Sequence, residues 1–217
     1  KRAHLDRDLN QLFAGCGYRV LLVEDNPTNQ EVASGLLRKM GLDHDFAGSG
    51  VQCLEMLAQG EYDLVLLDVQ MPGMDGYETV RRIRSEFEDR RPVVIALTAH
   101  AMAGDRETCL AAGMDDYLAK PISGQLLAEA LERWLGGKEP ESASISDALL
   151  SNPAEGPDTS VLDENAMLEN LMDDRELAAR VAGRFLNDLD GQLQALRDAF
   201  SRNDLETVRE VAHSLKG

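Results

Sequence analysis

The sequence switches between two hydrophobic periods. From Tyr18 to about Leu135, the short apolar runs YRVLLVED, HDFAG, YDLVLLD, PVVIALT and DDYLAK alternate with longer stretches whose apolar residues recur at helical spacing. A short apolar run ended by polar or turn-forming residues suits a buried strand, and helical periodicity between such runs supplies the crossovers of a parallel sheet. Val32, Leu36 and Met40 form one stripe, Leu110 and Met114 another, and Leu127, Ala130, Leu131 and Trp134 a third. The pattern predicts an α/β fold with five β/α units and a five-stranded parallel sheet, each helix turning one stripe to the core.

After Leu135 the pattern changes. The segment GGKEPESASISDALLSNPAEGPDTS, Gly136 to Ser160, is rich in Gly, Pro, Ser and acids with little periodicity, and reads as a flexible linker. Beyond it the chain reads as all-α. Leu177, Val181, Phe185, Leu189, Leu193, Leu196 and Phe200 form a nearly unbroken i, i+4 series, the mark of a helix packed on others. SRND then breaks the run, Asn203 or Asp204 can cap a further helix, and Leu205, Val208, Ala212 and Leu215 make its stripe. At about 100° per residue His213 lies roughly a third of a turn from the centre of that stripe, so it flanks the core instead of filling it.

Composition narrows the classes. The 217 residues carry 22 Lys and Arg against 39 Asp and Glu, a formal net charge of −17, which repels phosphate backbones and anionic lipid surfaces. The expectation is no nucleic-acid partner and no direct membrane contact. Cys16, Cys53 and Cys109 lie far apart with no CxxC pair, which supports neither a disulfide framework nor a zinc site and points to a reducing, cytoplasmic setting. No apolar run approaches the roughly 18 residues that cross a bilayer, and the charged start KRAHLDRDLN has no initiator Met, so an excised piece of a longer protein is expected.

The chemistry collects where the strands end. Glu24 and Asp25 close the first strand, Asp68 the third, Thr98 the fourth, and Lys120 with Pro121 the fifth. The carboxyl ends of the strands of an open parallel sheet form its ligand crevice, so these groups converge on one rim. Three carboxylates on one rim repel and call for a cation; an oxygen-only set with no His or Cys nearby suits Mg²⁺. With that charge neutralised, Asp68 can attack phosphorus to make an acyl phosphate, Thr98 can hydrogen-bond a phosphate oxygen, and Lys120 can offset its charge. Taken singly, each of these residues has an ordinary structural use; it is their joint placement that points to phosphoryl transfer.

In order, VLLVEDNPTNQ, YDLVLLDVQMPGMDGYE, VVIALTAHAM and GMDDYLAKPI resemble the receiver domain of two-component response regulators, from about Arg19 to Leu135. The resemblance implies the flavodoxin-like fold, with Asp68 as phosphoacceptor. It implies Mg²⁺ bound by Asp25, Asp68 and the backbone carbonyl of Gln70, with Glu24 acting through water. Thr98 would be the switch hydroxyl, Lys120 the family's conserved lysine, followed by Pro121 as in the family's cis Lys-Pro turn, and Tyr117 the aromatic rotamer switch. Gln70 and His100 would border the phosphoryl group and tune its lifetime.

The end of the chain carries a second resemblance. AHSLKG, preceded by FLNDLDGQLQALRDAFSRNDLETVREV, is similar to a histidine-containing phosphotransfer (HPt) domain, beginning near VLDENAMLENLMDD at Val161. It implies a helical bundle with His213 as the phosphorylated residue; residues 161–217 would be only the first part of that four-helix bundle, its apolar stripe exposed, so the segment is expected to be poorly folded alone or completed by another chain. Neutral imidazole, with a pKa near ~6.5, is a competent phosphoryl acceptor.

A receiver followed by a phosphotransfer segment is the arrangement of hybrid sensor histidine kinases. The implied partners are an upstream kinase domain and a downstream response regulator or HPt protein, with residues 1–18 an upstream linker. No glycine-rich ATP-binding lid is present, so this piece cannot be its own kinase. A different class, a non-catalytic receiver-fold docking module with a partner-binding helical tail, would lack a working acid set. Haloacid dehalogenase phosphatases need a second Asp two residues after the nucleophile, where this chain has Gln70.

Overall fold

A computed structural model describes residues 9–99, 103–136 and 164–202, with 204, 205, 207, 208, 211 and 212 beyond. The elements run β1 (Arg19–Val23), α1 (Pro27–Lys39), β2 (Asp43–Ala47), α2 (Gly50–Gln59), β3 (Leu64–Asp68), α3 (Gly76–Glu86), β4 (Val93–Thr98), α4 (Ala103–Ala112), β5 (Asp116–Ala119), α5 (Gly124–Leu135), α6 (Glu164–Asn170) and α7 (Arg175–Ser201). The five strands are all parallel in the order β2-β1-β3-β4-β5, the flavodoxin-like arrangement expected from the alternation.

Strand side chains alternate between two cores, as the two-residue period requires. Val20, Leu22, Leu64, Leu66, Ile95 and Leu97 face α1 and α5, where Leu36, Leu37, Leu127 and Leu131 meet them. Leu21, Val23, Val65, Leu67, Val94 and Ala96 face α2, α3 and α4, against Cys53, Leu57, Val80, Ile83 and Cys109. Burial on both faces explains why the central strands read as continuous apolar runs. β2 lies at the edge, and its polar sequence DHDFA suits a strand with a solvent side.

Two apolar stripes differ from expectation. Among the described side chains of α4 the buried one is Cys109, while Leu110 is 36% exposed; Met114 is buried beyond the end of the helix. On α7 only the first part of the series is covered: Leu177 and Val181 are buried, whereas Phe185, Leu193 and Phe200 are exposed and Leu189 and Leu196 are half-buried. The stripe is real, but the described residues cover it in its first two turns only, where α1 packs on one side and Met167 of α6 with Leu171 on the other.

The segment before Tyr18 is tied to the sheet unit. Phe13 is buried in the α1–α5 core, and the N–H groups of Gln11 and Phe13 donate to the carbonyls of Lys39 and Met40, each at 2.8 Å. These bonds satisfy carbonyls that the end of α1 would otherwise leave without partners.

His44 on β2 supplies a pH handle. Its Nε2 meets the Ser34 hydroxyl and its Nδ1 approaches the Leu42 carbonyl. Burial lowers its pKa, helped by Arg38 and opposed by the Leu42 carbonyl and by Asp45 and Asp43. The unfolded chain therefore takes up this proton first as pH falls, and stability is lost from about the ordinary 6.5 downward. Between pH 7.5 and 5.5 the melting temperature of the native protein is expected to drop relative to that of His44→Gln; a difference between the two that does not change with pH would show that His44 contributes nothing to the acid limb.

Candidate functional site

Parallel pairing places the ends of four strands on one edge. Val23 pairs with Leu67, Asp68 with Leu97, and Thr98 with Ala119, so Glu24, Asp25, Asp68, Thr98 and Lys120 line a single rim with β3 between β1 and β4. Glu24, Asp68 and Thr98 are buried and Asp25 is half-buried. Carboxylate oxygens of Glu24, Asp25 and Asp68 all lie within 4.8 Å of one another.

Lys120 joins this acid group. Its Nζ lies 2.7 Å from Glu24 Oε2 and 2.8 Å from Asp68 Oδ2. The ammonium donates to Asp68 Oδ2, and it stands at charge-assisted hydrogen-bond distance from the buried Glu24 Oε2 as well. Burial, and then the charge of Asp68, push the Glu24 carboxyl up to about 7 against the opposing pull of Lys120. Burial by itself would lower the pKa of Lys120, yet Glu24 and Asp68 outweigh it and hold the ammonium above its ordinary value. The site thus has more buried negative charge than one lysine neutralises.

The loop after β1 holds Glu24 in place. Asn29 Nδ2 donates to Glu24 Oε1 at 3.0 Å, the Asn26 N–H donates to the same oxygen at 3.3 Å, and Gln30 Nε2 donates to the Glu24 carbonyl at 2.7 Å. Asn26 also caps α1 by accepting from the N–H groups of Thr28 and Asn29. The sequence NPTNQ is legible as a helix start, but the second role of Asn29, orienting a buried acid five residues back, was missed. Its only signal is a polar residue on the first turn of a helix that follows an acidic pair.

Beyond β3, the Gln70 N–H donates to Asp68 Oδ1 at 3.0 Å, while the Gln70 side chain is exposed. Gly76 opens α3 so close to the site that a Cβ there would meet the Asp68 carbonyl oxygen at 2.4 Å, which is why this position has no side chain. Gly73 in the intervening loop has φ +77°, the left-handed region. On the other side the Lys120 N–H donates to the Thr98 carbonyl at 2.7 Å, and Lys120–Pro121 is cis. Tyr117, half-buried, packs against the core beneath α2, α3 and α4. His100 and His213 lie outside the described residues.

The donor set fits a hard divalent cation. Three carboxylates supply oxygen ligands at one point and one lysine does not neutralise them; both features suit Mg²⁺, which takes oxygen ligands and keeps part of its water shell. Among the described residues no helix is long and apolar enough to cross a membrane.

Residues 20–132 match the response regulator receiver domain. The chain is 37% identical over 206 residues to the sensor histidine kinase GacS of Pseudomonas protegens, a match covering 92% of this chain and 22% of that protein. It thus spans about a fifth of the length of that curated relative. It also resembles the receiver domain of the sensor histidine kinase PA1611 from Pseudomonas aeruginosa PAO1, solved with magnesium coordinated in the active-site cleft, at 46% identity and a TM-score of 0.52, covering 55% of this chain and 98% of that one. A co-crystal structure of the Saccharomyces cerevisiae histidine phosphotransfer protein Ypd1 with the receiver domain of its downstream regulator Ssk1 matches at 28% identity and a TM-score of 0.52, over 54% of this chain and 88% of that one. The receiver motifs, the strand order and the acid rim agree with these matches: this chain belongs to the response regulator receiver domain family, in the form found within hybrid sensor kinases.

Proposed function

We propose that this chain is the phosphoacceptor and phosphotransfer piece of a hybrid sensor histidine kinase, taking a phosphoryl group from a kinase phosphohistidine onto Asp68 and passing it to His213. The observation that carries the reading is the rim itself, where Asp68 ends the central strand within reach of two further carboxylates and 2.8 Å from the Lys120 ammonium.

Asp25, Asp68 and the carbonyl of Gln70 would hold Mg²⁺, with Glu24 behind it, and the ion would supply charge neutralisation at the incoming phosphoryl group. The chain's own groups do the rest. An Asp68 carboxylate oxygen attacks phosphorus; the P–N bond of the donor breaks as the new P–O bond forms, and the imidazole leaves with the electron pair. Lys120 is placed to follow the charge from the free carboxylate onto a phosphoryl oxygen, and Thr98 at the end of β4 to donate its hydroxyl to another. Tyr117 would respond to the movement of Thr98, and Gln70 with His100 would govern the approach of water. Onward transfer reverses the chemistry: a ring nitrogen of His213 attacks, and Asp68 leaves as a carboxylate. The implied partners are a kinase domain upstream and a regulator or HPt protein downstream. Residues 19–135 would form the receiver and 161–217 the opening helices of the HPt bundle, joined by 136–160, in a cytoplasmic setting.

Intact mass after addition of Mg²⁺ and a small-molecule phosphodonor tests this. One phosphoryl adduct lost in Asp68→Ala, and a further adduct lost in His213→Ala, are expected. Absence of any adduct while Mg²⁺ binds would overturn the relay in favour of a docking module.

A further inference from the structure

Two helices of the sheet unit carry glycine where the helical segment touches them. A Cβ on Gly35, in the third turn of α1, would stand 2.4 Å from Leu177 Cδ1 and 2.6 Å from Leu177 Cδ2. A Cβ on Gly124, at the start of α5, would stand 2.4 Å from Met172 Cγ. Glycine inside a helix, as at Gly35, is unfavourable, and a lone exposed helix face gives no reason for it; Gly124, the first residue of α5, carries less of that cost. Here each glycine opens a socket, and each socket is filled by an apolar side chain of the α6–α7 segment. Leu177 is wholly buried there, in a cluster with Leu171 and Val181 against Val32.

Polar contacts fix the direction. Lys39 Nζ donates to the Met172 carbonyl and lies 4.0 Å from Asp174, while Arg180 Nε lies 3.2 Å from Glu31. Successive residues of α7 therefore meet α1 in reverse order, 174 near 39, 177 at 35 and 180 at 31, so the helices are antiparallel. The N-terminus of α1 adjoins the acid rim, since Asn26 and Asn29 hold Glu24. At ~1.5 Å per residue, α7 passes that terminus near residue 184 and continues for about 25 Å to Ser201.

We propose that the sockets at Gly35 and Gly124 are a docking site for this chain's own α6–α7 segment, which holds α7 alongside α1 in cis and carries its distal half past the acid rim. The sockets match the chemistry of this occupant: one branched and one flexible apolar knob at the right spacing, with an acid on α1 for Arg180 and a lysine for the turn before α7. What docking means for phosphoryl exchange rests on the function proposed above; the docking itself does not.

Hydrogen–deuterium exchange of the full 217-residue chain, at two protein concentrations tenfold apart, tests the docking. Amides of residues 175–184 are expected to exchange slowly at both concentrations. Gly35→Leu, which fills the socket with a good helix former, should speed them at least tenfold while β1 and β3 stay protected. Leu177→Asp, which alters only the knob, should do the same. Unchanged exchange of 175–184 in both variants overturns the proposal, and protection that grows with concentration overturns it in favour of a second copy's segment in the same sockets. The phosphoryl adduct on Asp68 is followed in the same samples. Its absence from the wild-type protein would refute the phosphoacceptor reading and leave the exchange result to decide the docking.

Discussion

Asp68→Asn is expected to abolish the magnesium-dependent phosphoryl adduct and to remove most of the response of the melting temperature to Mg²⁺. The amide keeps the size of the side chain and an oxygen for the Gln70 N–H bond, so the loop after β3 has no reason to move. What it loses is the nucleophile and one of the three carboxylates within 4.8 Å. A ligand that binds only the folded state, present at ten times its dissociation constant, stabilises by about 1.4 kcal/mol, which for a domain of this size is a rise of several degrees. That rise should be seen with the wild type and be nearly absent in Asp68→Asn, measured by thermal unfolding with and without Mg²⁺. An equal rise in both proteins would place the cation elsewhere.

Lys120→Met should produce the largest loss of stability among single changes at the rim. Methionine occupies nearly the same volume as the lysine stem, so packing is kept and the ammonium alone is removed. Glu24 and Asp68 would then be buried beside each other without their cation, and breaking a buried ion pair by deleting one partner costs about 3 to 5 kcal/mol. In the wild type burial and the charge of Asp68 already push the Glu24 carboxyl up to about 7, so ionising it costs more in the fold than in the unfolded chain. Because the folded value is the higher one, the folded state holds a proton that the unfolded state has released. Stability is lost as pH rises from about 4.5 through about 7, and the loss is complete above it. Without Lys120 the folded value moves higher still, so the loss should be larger and extend to more alkaline pH. Thermal unfolding from pH 5 to 9 is expected to show the two proteins closest in acid and furthest apart in base, with Mg²⁺ recovering part of the difference. A gap that does not change with pH would mean that Lys120 acts through packing.

Much of the fold was legible. Strands buried on both faces must read as unbroken apolar runs, and LVLL before Asp68 and VIAL before Thr98 do. The edge strand DHDFA was still readable because it is followed by a turn and precedes a helical stripe. The rim was legible because parallel strands all end on the same side, so residues distant in sequence but each closing a strand must meet. Less legible were side chains whose burial depends on a neighbour the pattern does not name. Leu110 and Cys109 are adjacent, and helical periodicity over a ten-residue element could not decide which one faces the sheet. The apolar series on α7 fixes a face of the helix but not how much of it is covered, and Phe185 and Phe200 stand in solvent among the described residues.

By itself, then, the sequence determined the alternation of strand and helix, the class of the sheet, and the positions of Glu24, Asp25, Asp68, Thr98 and Lys120 at strand ends. These follow from local periodicity and from the one-sided geometry of parallel sheets, which need no knowledge of particular contacts. Only the tertiary structure decided that Lys120 stands between Glu24 and Asp68, that Asn29 orients Glu24, that Phe13 belongs to the core, and that Gly35 and Gly124 receive Leu177 and Met172. Each of these joins elements far apart along the chain through distances of a few ångströms, and a pattern of residue types carries periodicity but not separation in space.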